Sequence, residues 1–349
     1  MNPPAPIVTK RPAMPLLDGA GKGRVRPFVF FDTPRGPRPS HDRCDNVVAS
    51  LTLPARSPVF DGHYPGHPLL PGALMLEAAL QAMEAAGAGD DGQTLFLRRI
   101  DSLQLIRSVR PGETFTIEAS RRGEGEAAAR MSWKVALRDA QRRRIAAVTL
   151  VVSAASMSAL PRATPVSDDG LDAGQTVLDA VSIVGRLPHR APLLLVDRAV
   201  RAASGDFLRA QRAIRIDHPD LGEGEPTSAM GYPATLALES CAQAAGLLAL
   251  DTWNPPRAGM SRLLILGGAG RVDIHGEAMP GEVMVHELRV TRRFSGAVLV
   301  SGTTCVDGRV LMDVHNLLLS FRDEANSGEY PPCTVHMDGM TAEDSCSMQ

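Results

Sequence analysis

A histidine and a glutamate fourteen residues apart, with a glycine at the start of an apolar run between them, can shuttle protons beside a carbonyl group. In this chain they are His63, Gly72 and Glu77. The stretch Gly62-His63-Tyr64-Pro65-Gly66-His67-Pro68-Leu69-Leu70-Pro71-Gly72 is too rich in Gly and Pro for helix or strand, which predicts a shaped loop. Pro71 suits the first turn of a helix, and residues 73–81 supply good helix formers. The first amides of such a helix have no partner inside it and can meet an electron-rich ligand atom. Histidine titrates near neutral pH, so it can take a proton while a nearby carboxyl gives one. His67, with no acidic partner implied, reads as a turn residue. Cys241 reads as a small buried side chain, because no partner at useful spacing would activate it.

The flanking elements follow from composition and periodicity. Residues 1–27 are rich in Pro and Gly and predict a mobile arm. Phe28-Val29-Phe30-Phe31 is an apolar run that could start the fold, and residues 46–53 read as a β-branched strand. The helix after the His63 loop should stop near Gly87-Ala88-Gly89. From Thr94 to Ala155 the pattern turns extended, with runs at 95–97, 103–106, 114–118, 131–135 and 146–152. One buried helix followed by antiparallel strands is an α+β arrangement. Residues 156–177 read as a linker, 178–323 as a second domain, and 324–349 as a polar, flexible tail.

The second domain repeats the first. Pro71-x-x-Leu74-x-Leu76-Glu77-x-x-x-Gln81 returns as Pro233-x-x-Leu236-x-Leu238-Glu239-x-x-x-Gln243, an offset of 162 residues. Pro111-Gly112-Glu113 returns as Pro280-Gly281-Glu282, an offset of 169. So long a period indicates duplicated domains, 28–155 and 178–323, and not a solenoid. Strand-like runs again follow the second helix, at 263–266, 283–288, 297–300 and 317–321.

GHYPGHPLLPGALMLEA resembles the active-site loop and central helix of the 3-hydroxyacyl-acyl-carrier-protein dehydratases, a hotdog family of fatty-acid synthesis. In the second copy, Leu187-Pro188-His189-Arg190-Ala191-Pro192-Leu193-Leu194-Leu195-Val196-Asp197-Arg198 resembles that family's opening segment, and residues 232–250 its central helix. The resemblance implies a tandem double hotdog, each half a curved antiparallel sheet wrapped around a helix. It implies a site built across two hotdogs, with His63 as base, Glu239 as acid and the Gly72 amide on the thioester oxygen. Tyr64, Pro65, Gly66 and Pro71 would then shape the substrate loop. The reciprocal pair, Glu77 and Glu225, lacks a histidine, and Ala234 stands where Gly72 would, so that site is expected to have lapsed. His189 and Arg190 are expected to shape a local turn or to pair with Asp197.

The resemblance implies a lyase that turns a 3-hydroxyacyl thioester into the trans-2-enoyl thioester, in fatty-acid or polyketide-type biosynthesis. A hotdog thioesterase and a non-catalytic acyl-binding or scaffold subunit are the alternatives. The implied partner is an acyl carrier protein, acidic enough to be steered by basic clusters such as Arg98-Arg99 or Arg142-Arg143-Arg144. A net charge of -2 gives no global footprint for nucleic acid. No apolar run is long enough to span a bilayer, and the first residues lack the apolar core of a secretory signal. Five scattered cysteines without CxxC spacing fit neither a disulfide framework nor a zinc site. With no P-loop or Rossmann fingerprint either, the expectation is a cytoplasmic, cofactor-free and metal-free protein, an internal pseudodimer able to oligomerise further.

Overall fold

The structure is a computed structural model and describes residues 7–9, 28, 30, 44–89, 94–124, 130–154, 174–215, 231–252, 262–294 and 296–323. The first copy contains β1 (Ile7–Thr9), β2 (Asn46–Thr52), α1 (Pro58–Gly62), α2 (Gly72–Ala85), β3 (Phe96–Leu105), β4 (Thr114–Glu124), β5 (Met131–Asp139) and β6 (Arg144–Ser153). The second contains β7 (Thr176–Leu178), α3 (Ala180–Arg186), β8 (Arg198–Arg201), β9 (Phe207–Ala213), α4 (Ala234–Thr252), β10 (Arg262–Ile274), β11 (Val283–Arg293), β12 (Ala297–Val306) and β13 (Arg309–Asp323).

The strands form one sheet in the order β1-β2-β4-β5-β6-β3-β10-β13-β12-β11-β9-β8-β7. The run β2-β4-β5-β6-β3 is matched in reverse by β10-β13-β12-β11-β9, as a pseudo-twofold axis between the copies requires. The copies join edge to edge where β3 pairs antiparallel with β10, from Arg99↔Asp273 to Gln104↔Gly268. This is the tandem double hotdog, and joining the edges removes two exposed ones that would otherwise invite aggregation. Among the described residues no helix is long and apolar enough to cross a membrane.

The helices lie inside the curved sheets because apolar residues dominate around them and their few polar side chains, such as Gln81 and Gln243, find buried partners. Every residue of α2 from Ala73 to Ala85 is buried, and so are residues 235–249 of α4. A helix apolar all round must be enclosed on all sides. The two helices also pack against each other. Each carries a glutamine that bonds to the backbone of a segment crossing it. Phe30 N–H donates to Gln81 Oε1 at 2.7 Å, and Gln81 Nε2 donates to Phe28 O. Leu195 N–H donates to Gln243 Oε1 at 2.8 Å, and Gln243 Nε2 donates to Leu193 O at 2.8 Å. The apolar run at Phe28 is therefore the first copy's counterpart of the Leu193–Leu195 segment.

Some elements differ from the sequence reading. The runs at 95–97 and 103–106 fall at the two ends of one strand, β3 (Phe96–Leu105), with irregular register at two points opposite β6. The charged residues between them suggested a turn, but Arg98 donates to Ser153 Oγ at 2.7 Å and Arg99 pairs with Asp101 at 2.8 Å. The helices α1 and α3 and the strands β7 to β9 were not foreseen; β7 and β8 are too short to show a period. Ile7–Thr9, inside the expected arm, run parallel to Val48–Ser50 of β2. The rest of that arm, the linker over 156–173 and the tail beyond 323 lie outside the described residues.

The loop carrying His63 is held by both copies. Tyr64 adopts a left-handed φ of 58°, and its hydroxyl donates to Leu264 O of β10. Arg190 N–H donates to Gly62 O at 2.8 Å. A Cβ on Gly62 would lie 2.8 Å from Arg190 O and 3.0 Å from Leu193 N, so two backbones meet here without room for a side chain. Gly62→Ala should therefore lower stability by about 1–3 kcal/mol, since neither backbone can yield cheaply. Urea unfolding of the variant beside the native chain checks this, and an unchanged midpoint would contradict the close approach.

Candidate active site

His63 sits at the C-terminal end of α1, whose N-cap Ser57 accepts the Val59 N–H, with Pro58 opening the helix. Its Nδ1 lies 2.7 Å from Leu69 O. A carbonyl can only accept, so Nδ1 carries the proton and Nε2 presents its lone pair. Burial lowers the His63 pKa from 6.5 to about 4, against the opposing effect of the Leu69 carbonyl. The imidazole is thus a neutral base over most of the working pH range.

Nε2 of His63 lies 4.0 Å from Oε1 of Glu239, which comes from α4 of the other copy. Glu239 is 4% exposed, and burial raises its pKa from 4.5 to about 7, although the hydrogen bond from Gln243 opposes the rise. Near pH 6 both groups are neutral, so this is a base facing an acid and not an ion pair. At 4.0 Å they are too far apart for a direct hydrogen bond. A substrate atom can lie between them.

A third group completes the cluster. His189 Nε2 is 3.6 Å from the same Glu239 oxygen, and its ring centroid is 5.1 Å from that of His63. Its Nδ1 is buried and has no hydrogen-bond partner. Burial first, then the neighbouring His63 and Arg190, hold its pKa well below 6.5. The expected local turn is present: the Arg190 guanidinium donates to Leu187 O and His189 O, and Leu193 N–H donates to Arg190 O. The pairing expected of His189 or Arg190 with Asp197 is corrected here. Asp197 instead accepts from Arg212 Nη1 at 3.2 Å and from Ala213 N–H at 2.7 Å. The signal for His189 was a histidine between Pro188 and Pro192 beside a leucine run, which buries it with no local partner. His286 is the contrast: equally buried, it has Ser240 Oγ and Thr304 Oγ1 each at 2.8 Å and is structural.

Gly72 opens α2, and its N–H has no partner within the helix. A Cβ there would run into Leu105 Cδ1. His63, Tyr64, Gly72, His189 and Glu239 all line one cavity of about 380 Å³. Of the other loop residues, Pro65 and Gly66 are exposed on the outer turn and Pro71 is the buried N-cap; none of the three lines the cavity. His67 is exposed. Cys241 is buried, and burial pushes its thiol up to about 12, which leaves it inert.

The reciprocal position is different. Glu77 Oε2 accepts from Thr235 Oγ1 at 3.0 Å, and Glu77 Oε1 accepts from Gln81 at 2.8 Å. The space beside it is only about 20 Å³. Glu225, its expected counterpart, lies outside the described residues.

His63, His189 and Glu239 could also ligate a metal ion, since their ligand atoms lie within 4.8 Å of one another. The burial that keeps Glu239 protonated opposes this, because a cation must displace that proton.

Fold and site together define a double hotdog with one buried acid–base pair built from both copies. A family model described as ApeI dehydratase matches residues 39–146, and one described as a FabA-like domain matches residues 187–315. The 3-hydroxyacyl-acyl-carrier-protein dehydratase FabZ of Cronobacter sakazakii is 32% identical over 131 residues, 38% of this chain and 85% of the relative. The FabZ of Pasteurella multocida is 31% identical over 137 residues, 39% of this chain and 88% of the relative. The dehydratase domain from the CurJ module of the curacin polyketide synthase superposes with a TM-score of 0.56 at 11% identity, covering 83% of this chain and 96% of that domain. The dehydratase domain of RzxB from Pseudomonas fluorescens gives 0.54 at 16% identity, covering 78% and 94%. The chain belongs to the 3-hydroxyacyl-acyl-carrier-protein dehydratase family, in tandem form. It is a lyase of the dehydratase class.

The raised Glu239 pKa has a consequence for stability. The folded state holds this proton up to about 7, whereas the unfolded chain releases it near 4.5. Between those values the folded state binds more protons, so stability falls as pH rises through the window. Glu239→Gln lacks that loss. Its stability relative to the native chain should climb from pH 4.5 to about 7, by on the order of 3 kcal/mol. Denaturant unfolding across that range measures the difference; one that does not vary with pH would mean Glu239 titrates normally.

Proposed function

We propose that the protein removes water from a 3-hydroxyacyl thioester carried on an acyl carrier protein, with His63 as base, Glu239 as acid and the Gly72 amide as oxyanion donor. The 4.0 Å gap between the neutral His63 imidazole and the protonated Glu239 carboxyl carries this reading. His63 Nε2 takes the proton from the carbon α to the thioester. Charge develops on the thioester oxygen, where the Gly72 N–H at the start of α2 donates a hydrogen bond. Glu239 passes its proton to the departing β-hydroxyl, which leaves as water, and the trans-2-enoyl thioester remains. Holding these groups in place supplies the larger part of the acceleration, since general acid–base help contributes ~10²–10⁴-fold.

The carrier is the family's partner, and the cavity supports it. Arg186 and Arg190 are exposed and line the same cavity as the acid–base pair, so an acidic carrier meets positive charge where the cavity reaches the surface. Glu77, held by Thr235 and Gln81, belongs to a lapsed site in this reading, and with it Glu225. The domain limits 28–155 and 178–323 are part of the same proposal: two hotdogs fused so that one site survives.

Mass spectrometry of the protein incubated with a 3-hydroxyacyl carrier protein tests this. Loss of water is expected; release of free acid would indicate a thioesterase, and no change a binding subunit. His63→Ala should abolish the reaction, and Glu239→Gln should cost on the order of 10²-fold or more. Glu77→Gln and Glu225→Ala should cost far less. In the native chain kcat/KM should fall as pH rises through about 7, where Glu239 loses the proton it must donate. Comparable losses at Glu77 and Glu239 would overturn the assignment.

A further inference from the structure

The two helices carry the same Glu-x-x-x-Gln unit, yet only one borders an open cavity. The difference lies in the next residues on the same face. On α4, Glu239, Ala242, Gln243, Gly246 and Leu250 all line the cavity of about 380 Å³. At the offset of 162, the α2 counterparts of Ala242 and Gly246 are Leu80 and Glu84. Both are buried, and Glu84 Oε1 accepts the Leu95 N–H at 2.9 Å. Leu80 is part of the wall of the cavity of about 20 Å³ beside Glu77.

Gly246 is the narrow point on α4. A Cβ there would lie 3.6 Å from Leu187 Cδ2 and 3.7 Å from Leu264 Cδ2, which is ordinary contact. A methyl group fits, whereas anything larger must enter the space between those two leucines. Gly246 lies seven residues beyond Glu239, roughly 10 Å along the axis, a run that an extended chain of about eight carbons spans. The walls along it are apolar, with Leu187, Leu250, Leu263, Leu264 and Leu266 among them. The polar end holds Glu239 and the buried, unpartnered Nδ1 of His189.

We propose that Ala242 and Gly246 open the acyl channel along α4, that Gly246 sets the chain length admitted, and that the substrate's acyl group is a plain, apolar chain of medium length. This rests on the dehydratase reading above. In that reading, the residues Leu80 and Glu84 would explain why the reciprocal channel is closed independently of its missing histidine.

The test compares pantetheine thioesters of 3-hydroxybutyrate and 3-hydroxydecanoate in the native chain, Gly246→Ala and Gly246→Leu. The native chain should prefer the longer substrate. In Gly246→Leu the ratio of kcat/KM, long over short, should fall by about tenfold or more, because several methylenes lose their place. Gly246→Ala, which the contact distances tolerate and which favours helix, should fold as well as the native chain and shift the ratio in the same direction by less. An unchanged ratio in both variants, or equal loss on both substrates in Gly246→Ala, would overturn the proposal. Binding of decanoyl-pantetheine, followed by calorimetry, separates the two readings. If the native chain binds it and Gly246→Leu does not, while neither dehydrates anything, the channel stands and the dehydratase reading falls.

Discussion

Desolvation of one histidine–glutamate pair is the constraint on which the site depends. Taking an imidazole and a carboxyl out of water disfavours the charged form of each, so the first becomes a standing base and the second a standing acid. His63 and Glu239 are shifted in opposite directions by that one cause. Neither shift needs a neighbouring charge. What it needs is withdrawal from water, and both side chains are buried where the two copies meet.

The joint between the copies is therefore part of the chemistry. Antiparallel pairing of β3 with β10 fixes the distance between α2 and α4, and so the distance between the Gly72 amide on one and Glu239 on the other. The Tyr64 hydroxyl on Leu264 and the Arg190 amide on Gly62 then fasten the histidine loop to the second copy. His189 arrives on the segment that Gln243 pins across α4. Duplication within one chain allowed the copies to diverge, and they did so in complementary places. The first keeps the histidine loop, and the second keeps the opening segment and the small residues on its helix.

Much of this was legible in the sequence. The helix motif repeated at 162 residues gave two copies, and the Gly/Pro loop before it singled out His63 and Gly72. The choice of Glu239 over Glu77 required the pairing implied by the family resemblance, since spacing within one copy favours Glu77. His189 escaped because its role depends on the folded environment: Asp197, the acidic residue close to it in sequence, is taken by Arg212 and Ala213, and its partner lies fifty residues on, in α4. The β3 strand was split because a charged run mimics a turn when its cross-strand partners, Ser153 among them, are not yet known. The closed reciprocal channel was hidden for a similar reason, as Leu80 and Glu84 look like ordinary helix residues until both cavities are compared.

Burial between the copies holds His63 neutral, with its proton on Nδ1. Nitrogen NMR of the imidazoles, with His63 assigned by its loss in His63→Gln, measures both properties at once. A single tautomer protonated at Nδ1 is expected, taking a second proton only when the pH falls to about 4. A His63 that titrates near 6.5, or that carries its proton on Nε2, would contradict it.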